Sequence, residues 1–260
     1  MGANPNEFYI GWQAEAPPGY ARLVRRFVLA LAVVLPLLAG LLVGFQRGFS
    51  NGTFEYGKRT ELEGTLRTGA VPFLKVQSGR DTDVQNILLV APGKFGYHPP
   101  AGFGDGQPVR VAGFLIYHDG KTALQVEDMT AVPGAADRSL PPLAELATAT
   151  LRGEVTDPKC LLGVMKPGEG APHRDCAARC IAGGIPPVLR VANAAGETEY
   201  YLLVGPNGEA LNDRMSRYAA DAVQVRGQLK TDGDWIFLYA DTASLRRINR
   251  WTLNPGVMCH

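Results

Sequence analysis

From Phe27 to Phe45 the chain reads FVLALAVVLPLLAGLLVGF, without a single charge. A run of about 18 or more such residues is enough to cross the hydrocarbon core of a bilayer. Pro36 and Gly40 are tolerated in a membrane helix, where both would weaken a soluble one. Arg22, Arg25 and Arg26 precede the run, and Arg47, Lys58 and Arg59 follow it. This modest bias places a short tail, 1–26, in the cytoplasm and the bulk of the chain across the membrane. A cleavable signal has an apolar stretch of about 7–15 residues ending in an A-x-A-like site. Here the run is longer and no such site follows, so 27–46 reads as an uncleaved anchor in contact with the lipid bilayer. Arg25-Arg26-Phe27-Val28-Leu29 has a twin-arginine flavour, but Val24 and the Leu-rich run favour general export. Ahead of the anchor, Phe8-Tyr9-Ile10-Gly11-Trp12 suits an aromatic belt at the interface or a contact with a membrane partner.

Beyond the anchor no long helical period appears; a strand pattern occurs twice. The first copy runs Glu61–Leu66, Phe73–Val76, Ile87–Val90, Val109–Leu115 and Ala123–Val126. The second runs Leu151–Val155, Val188–Val191, Tyr201–Val204, Val223–Leu229 and Trp235–Leu238. Turn chemistry such as His118-Asp119-Gly120 and Thr231-Asp232-Gly233 separates the last two strands of each copy. Gly64, Gly113, Gly153 and Gly227 fall inside strands, as expected where a small barrel bends sharply. The fold class implied is mainly β: one N-terminal transmembrane helix followed by two tandem OB-fold-like five-stranded barrels. The first barrel is expected over 60–132 and the second over 150–242. A linker spans 133–149, with Leu143–Thr148 a candidate short helix, and 243–260 is a C-terminal tail.

A formal net charge of +1, from 26 basic and 25 acidic residues, argues against nucleic acid as a partner. Barrels of this kind bind single strands or sugars with stacking aromatics in a basic groove. Phe73, Tyr200, Tyr201, Trp235 and Phe237 supply rings, but no Lys/Arg cluster accompanies them. The simpler reading is that these rings fill the barrel cores.

The two copies differ most between their first and second strands. Copy one has the short connection Arg67–Val71; copy two has an insertion over 157–186. That insertion carries three of the four cysteines, in the order Cys160, His173, Cys176 and Cys180. Asp175–Ile181 reads as one or two helical turns, ended by Gly183-Gly184 and blocked by Pro186-Pro187. On such a helix His173, Cys176 and Cys180 stand at i, i+3 and i+7 and share a face. Cys160 folds back from the preceding loop to complete a Cys3His set. Tetrahedral Cys3His suits zinc, and soft thiolates also suit Cu(I) or an iron–sulfur centre. Met165 offers a thioether if the metal is copper. The competing reading is a disulfide, since an exported domain meets an oxidising environment. Cys160 with Cys176 or Cys180 would staple the insertion, whereas Cys176 with Cys180, four apart on a helix, has poor disulfide geometry. The spacing leaves both readings open.

Other chemistries fit less well. Cys176 and Cys180 are one residue too far apart for a C-x-x-C redox motif. Haem attachment needs C-x-x-C-H, and the final Cys259-His260 lacks the first cysteine of that motif. No nucleophile elbow, P-loop or H-E-x-x-H pattern occurs, so the reading leans away from an enzyme.

The stretch H-x-x-C-A-x-x-C-I-x-G-G from His173 to Gly184, followed by Pro186-Pro187, resembles a segment of exported bacterial tandem OB-fold-like proteins. The resemblance covers about 153–191 and implies a bacterial cell-envelope setting, without transferring an activity. The expectation is a single-pass bacterial inner-membrane protein with its C-terminal domain in the periplasm. It would serve as an accessory or electron-transfer subunit of a larger membrane oxidoreductase, its partners being the other subunits. An envelope metallochaperone for copper or zinc is the alternative, and a binding module with structural disulfides is a third.

Overall fold

The computed structural model describes residues 16–45, 51–77, 84–133, 142–192 and 197–253. It divides into two units, Met1–Gly48 and Phe49–His260. The aromatic segment Phe8–Trp12, Arg47, the linker residues 134–141 and the Cys259-His260 pair lie outside the described residues.

The first unit contains helix α1, Pro18–Phe45. Proline opens it, where a missing N–H costs nothing. The Ala21 N–H donates to the Pro17 carbonyl at 2.9 Å. With 28 residues, and an 18-residue stretch of mean hydropathy 2.7 within it, it is long and apolar enough to cross a membrane. Pro36 lies within it, tolerable where neighbouring backbone can adjust.

The second unit is built from ten strands in two closed five-stranded sheets. The first sheet uses β1 (Thr53–Arg67), β2 (Phe73–Gln77), β3 (Val84–Val90), β4 (Pro108–His118) and β5 (Lys121–Ala131). The second uses β6 (Ala144–Thr156), β7 (Val188–Ala192), β8 (Thr198–Val204), β9 (Ala222–Asp232) and β10 (Trp235–Arg247). Going round, the order is β1-β2-β3-β5-β4 and, equivalently, β6-β7-β8-β10-β9. In each sheet the third and fifth strands run parallel and all other pairs antiparallel. Gly64 and Gly153 occupy matching places on the first strand of each sheet. A Cβ there would strike the carbonyls of Lys75 and Arg190 on the neighbouring strand, so only glycine permits the bend that closes the sheet.

Strands extend further than the sequence pattern alone suggests. β1 starts at Thr53, kinked by an irregularity between Phe54 and Arg59, and β10 continues to Arg247, inside the stretch expected as a tail. Leu143–Thr148 is not helical. Ala144 opens β6 and pairs with Thr231, and Glu145 pairs with Lys230. The free edge of β9 satisfies this backbone in a way an isolated turn of helix cannot.

Each sheet wraps its own apolar interior. Leu66, Leu74, Ile87, Leu89, Val109, Val111 and Leu124 fill the first. Val155, Leu189, Leu203, Val223, Val225 and Leu238 fill the second, together with Ala177 and Ile181 of the insertion. A third apolar cluster joins the sheets: Phe73, Leu88, Val90 and Ile116 meet Leu202, Val204, Trp235 and Phe237. The uninterrupted run Ile87-Leu88-Leu89-Val90 follows from this arrangement, since alternate residues face two different cores. Of the aromatic rings expected inside the barrels, Phe73, Tyr200, Trp235 and Phe237 lie instead in this seam, and Tyr201 packs against the interior of the second sheet. Phe73 packs against Trp235 and Phe237 at 6.0 Å between centroids, and the indole N–H of Trp235 donates to the Asn86 carbonyl at 3.1 Å. Buried and partnered, Phe73, Trp235 and Phe237 offer no open stacking platform.

A buried ionic contact locks the seam. The tip of the β9–β10 hairpin places Asp232 against Lys75, an ion pair whose side chains are 7% and 8% exposed. Arg67 approaches the same carboxylate at 3.1 Å. Removing one member of a buried pair strands the other without water. Asp232→Ala is therefore expected to lower the unfolding free energy by about 3–5 kcal/mol, measured by chemical denaturation of the detergent-solubilised chain. Replacing all three charges together, Lys75→Met and Arg67→Met with Asp232→Leu, should cost far less. A loss below about 1 kcal/mol for Asp232→Ala, the range of a surface pair, would contradict this role.

Candidate metal centre

The insertion between β6 and β7 bridges the two sheets. Its first turn, Cys160–Val164, packs on β1, β4 and β5. Its helix α2, Arg174–Ala182, packs on β6 and on the short helix α3, Asn212–Met215. The Asn212 amide ties down the far end, donating to the carbonyls of Ile181 at 2.7 Å and Ile185 at 2.8 Å.

Asp157 organises the start of the insertion. Its Oδ1 accepts the Cys160 N–H at 2.9 Å, a capping contact three residues ahead. Its Oδ2 lies 2.8 Å from His173 Nε2, and both side chains are fully buried. A carboxylate accepts, so the imidazole donates from Nε2. Nδ1 of His173 is then buried without a hydrogen-bond partner. His173 closes a 3-10 turn, Ala171–His173, and stands at the N-cap of α2.

Cys160, Cys176 and Cys180 converge, their sulfurs all within 4.8 Å of one another. Cys160 Sγ and Cys176 Sγ are 3.7 Å apart. A disulfide needs about 2.05 Å, and all three are free thiols. Two thiolates bound to one tetrahedral ion at about 2.3 Å would be separated by about 3.8 Å, close to the observed spacing. A second group, Asp157, Cys160 and His173, has its ligand atoms within the same limit. Cys160 belongs to both groups, and either could hold a metal ion.

Of the four residues expected to converge, the structure thus brings the cysteines together and sets His173 behind Cys160, against Asp157. The helical-face argument extends one residue too far. The His173 backbone, at ψ −7, has not entered the regular helix that carries Cys176 and Cys180.

Two lysines surround the sulfurs. Lys94, in the loop after β3, points its Nζ at Cys176 Sγ, 2.7 Å away. Lys159 donates to the carbonyls of Ala91 at 2.7 Å and Gly93 at 2.8 Å, holding that loop over the insertion. The Gly96 N–H adds a bond to the Gly183 carbonyl at 3.0 Å. A Cβ on Gly183 would collide with the Lys94 carbonyl, which gives one half of the Gly183-Gly184 pair a specific purpose.

The hydrogen bond to Cys176 raises the Lys94 pKa against the opposing effect of burial, and the nearby sulfurs add to the rise. Burial lowers that of Lys159. Cys160 is pushed well above the ordinary thiol range by its hydrogen bond to Cys180 and by burial. The same hydrogen bond, accepted by Cys180, lowers the pKa of that thiol, and the Lys94 charge adds to the fall. The hydrogen bond from Cys160 and the Lys94 ammonium thus act in the same direction on Cys180, against its burial.

Asp157 and Lys94 are the participants that sequence reasoning missed. The spacing Asp157-Pro158-Lys159-Cys160 matches a capped turn and could have revealed the first. Nothing local marks Lys94, which arrives from the other sheet. No family model, no curated protein and no solved structure matches the chain.

Because none of the three sulfurs is at bonding distance, Cys160, Cys176 and Cys180 should all be alkylated after denaturation without reductant. In the native chain Cys176 should react first, since Cys160 and Cys180 are only 3% and 1% exposed. Intact-mass and peptide mapping read both outcomes; protection of any two of these cysteines would show a disulfide instead.

Proposed function

We propose that this chain is a membrane-anchored metal-binding protein of the bacterial envelope, with its β body in the periplasm and a three-thiol site in the inserted segment. The convergence of Cys160, Cys176 and Cys180 without a disulfide carries this reading. The fully buried Asp157–His173 pair supports it from behind, since a carboxylate on one imidazole nitrogen orients the other toward a ligand. We read both barrels as OB-type, in keeping with five strands, closure in one shared order and a single parallel pair in each. The apolar helix and the resemblance of His173–Gly184 to exported bacterial proteins support the compartment.

In this reading the protein serves a larger membrane oxidoreductase as an accessory or electron-transfer subunit. The anchor confines it to the membrane plane beside its partners, and the thiol cluster provides the metal. An envelope metallochaperone is the second reading, favoured by one observation. Cys176 is only partly buried and Met165 beside it is 38% exposed, so one edge of the site opens to solvent.

Gentle solubilisation from native membranes tests both levels. About one metal ion per chain is expected, lost in Cys176→Ser, with the chain running in a defined larger complex. A metal-free chain would overturn the metal-binding reading. A metal-loaded chain recovered as a lone monomer would overturn the subunit role and leave the chaperone reading standing.

A further inference from the structure

The sulfur donors at the open edge bear on which metal the site takes, an inference that rests on the metal-binding reading above. Met165 follows the turn Cys160–Val164, and its N–H closes that turn on the Cys160 carbonyl at 3.4 Å. This backbone contact fixes the residue beside the cluster, and its Sδ lies 3.1 Å from Cys176 Sγ. The side chain is 38% exposed, so its placement is not explained by burial in a core. The described site thus gathers three thiols and one thioether.

We propose that the site binds a cuprous ion and that Met165 supplies a fourth, thioether donor on the solvent side. Thioether sulfur is a soft, neutral ligand found with copper, whereas zinc sites are built from Cys, His, Asp and Glu. Met165 must draw away from Cys176 by less than about 1 Å for both sulfurs to share one ion. The flexible methionine side chain allows that movement. A weak donor on the open edge and three strong ones behind it form a site that holds Cu(I) yet can release it by exchange at the rim.

Anaerobic titration of the full detergent-solubilised chain with Cu(I), buffered by a chromophoric Cu(I) chelator, and separately with Zn(II), tests the proposal. Met165→Leu keeps the size and apolar character of the side chain and removes only the sulfur. Cu(I) dissociation is expected to rise about tenfold in Met165→Leu, with Zn(II) affinity unchanged. Equal weakening of both metals would show a packing role and overturn the proposal. So would Cu(I) binding that needs the cysteines and ignores Met165, although the three-thiol metal site would then stand. Failure of the unaltered chain to bind either ion would overturn the proposal and the metal-binding reading together.

Discussion

The apolar seam between the two sheets is the constraint on which the site depends. Phe73, Leu88, Val90 and Ile116 on one side and Leu202, Val204, Trp235 and Phe237 on the other cannot face water cheaply. Cys160, Leu161, Leu162, Cys180 and Ile185 of the insertion belong to the same cluster. Packing the sheets together therefore also packs the cysteines. Cys160 and Cys180 are buried because they lie in that core, and Cys176 packs against its edge, only partly buried.

Electrostatics then completes what packing begins. Lys159 crosses from the insertion to the carbonyls of Ala91 and Gly93, and Lys94 crosses back from that loop to Cys176. Each sheet thereby supplies one part of the cluster's surroundings: the second brings the sulfurs, the first brings the ammonium that faces them. Asp232 against Lys75 and Arg67 plays a similar part at another point of the seam, with an acid from the second sheet and bases from the first. A site assembled in this way is only as well formed as the docking of the two halves.

Much of this was legible in the chain. The uncharged run Phe27–Phe45 announces its helix, and alternation with turn dipeptides announces ten strands in two matched sets. The approach of Cys176 and Cys180 could be read from their spacing on the short α2, although that spacing did not decide between a metal and a disulfide. Other features depend on partners distant in sequence. Ala144–Thr148 becomes strand because β9 offers an edge, a fact absent from the local pattern. Trp235 and Phe237 are apolar in any barrel, and only the presence of a second sheet decides which core receives them. His173 sits outside the regular helix, its ring held by a hydrogen bond to the buried carboxylate of Asp157, sixteen residues earlier. Lys94 reaches Cys176 across 82 positions, beyond the range of any spacing rule.

The central claim is that three sulfurs from one insertion, held at the seam, form a single metal site. X-ray absorption at the metal edge of the loaded full-length chain tests it most directly. The account predicts a first shell dominated by sulfur, with about three thiolate scatterers near 2.3 Å, depleted by one in Cys160→Ser. A shell of nitrogen and oxygen alone, or one unchanged by that substitution, would contradict it.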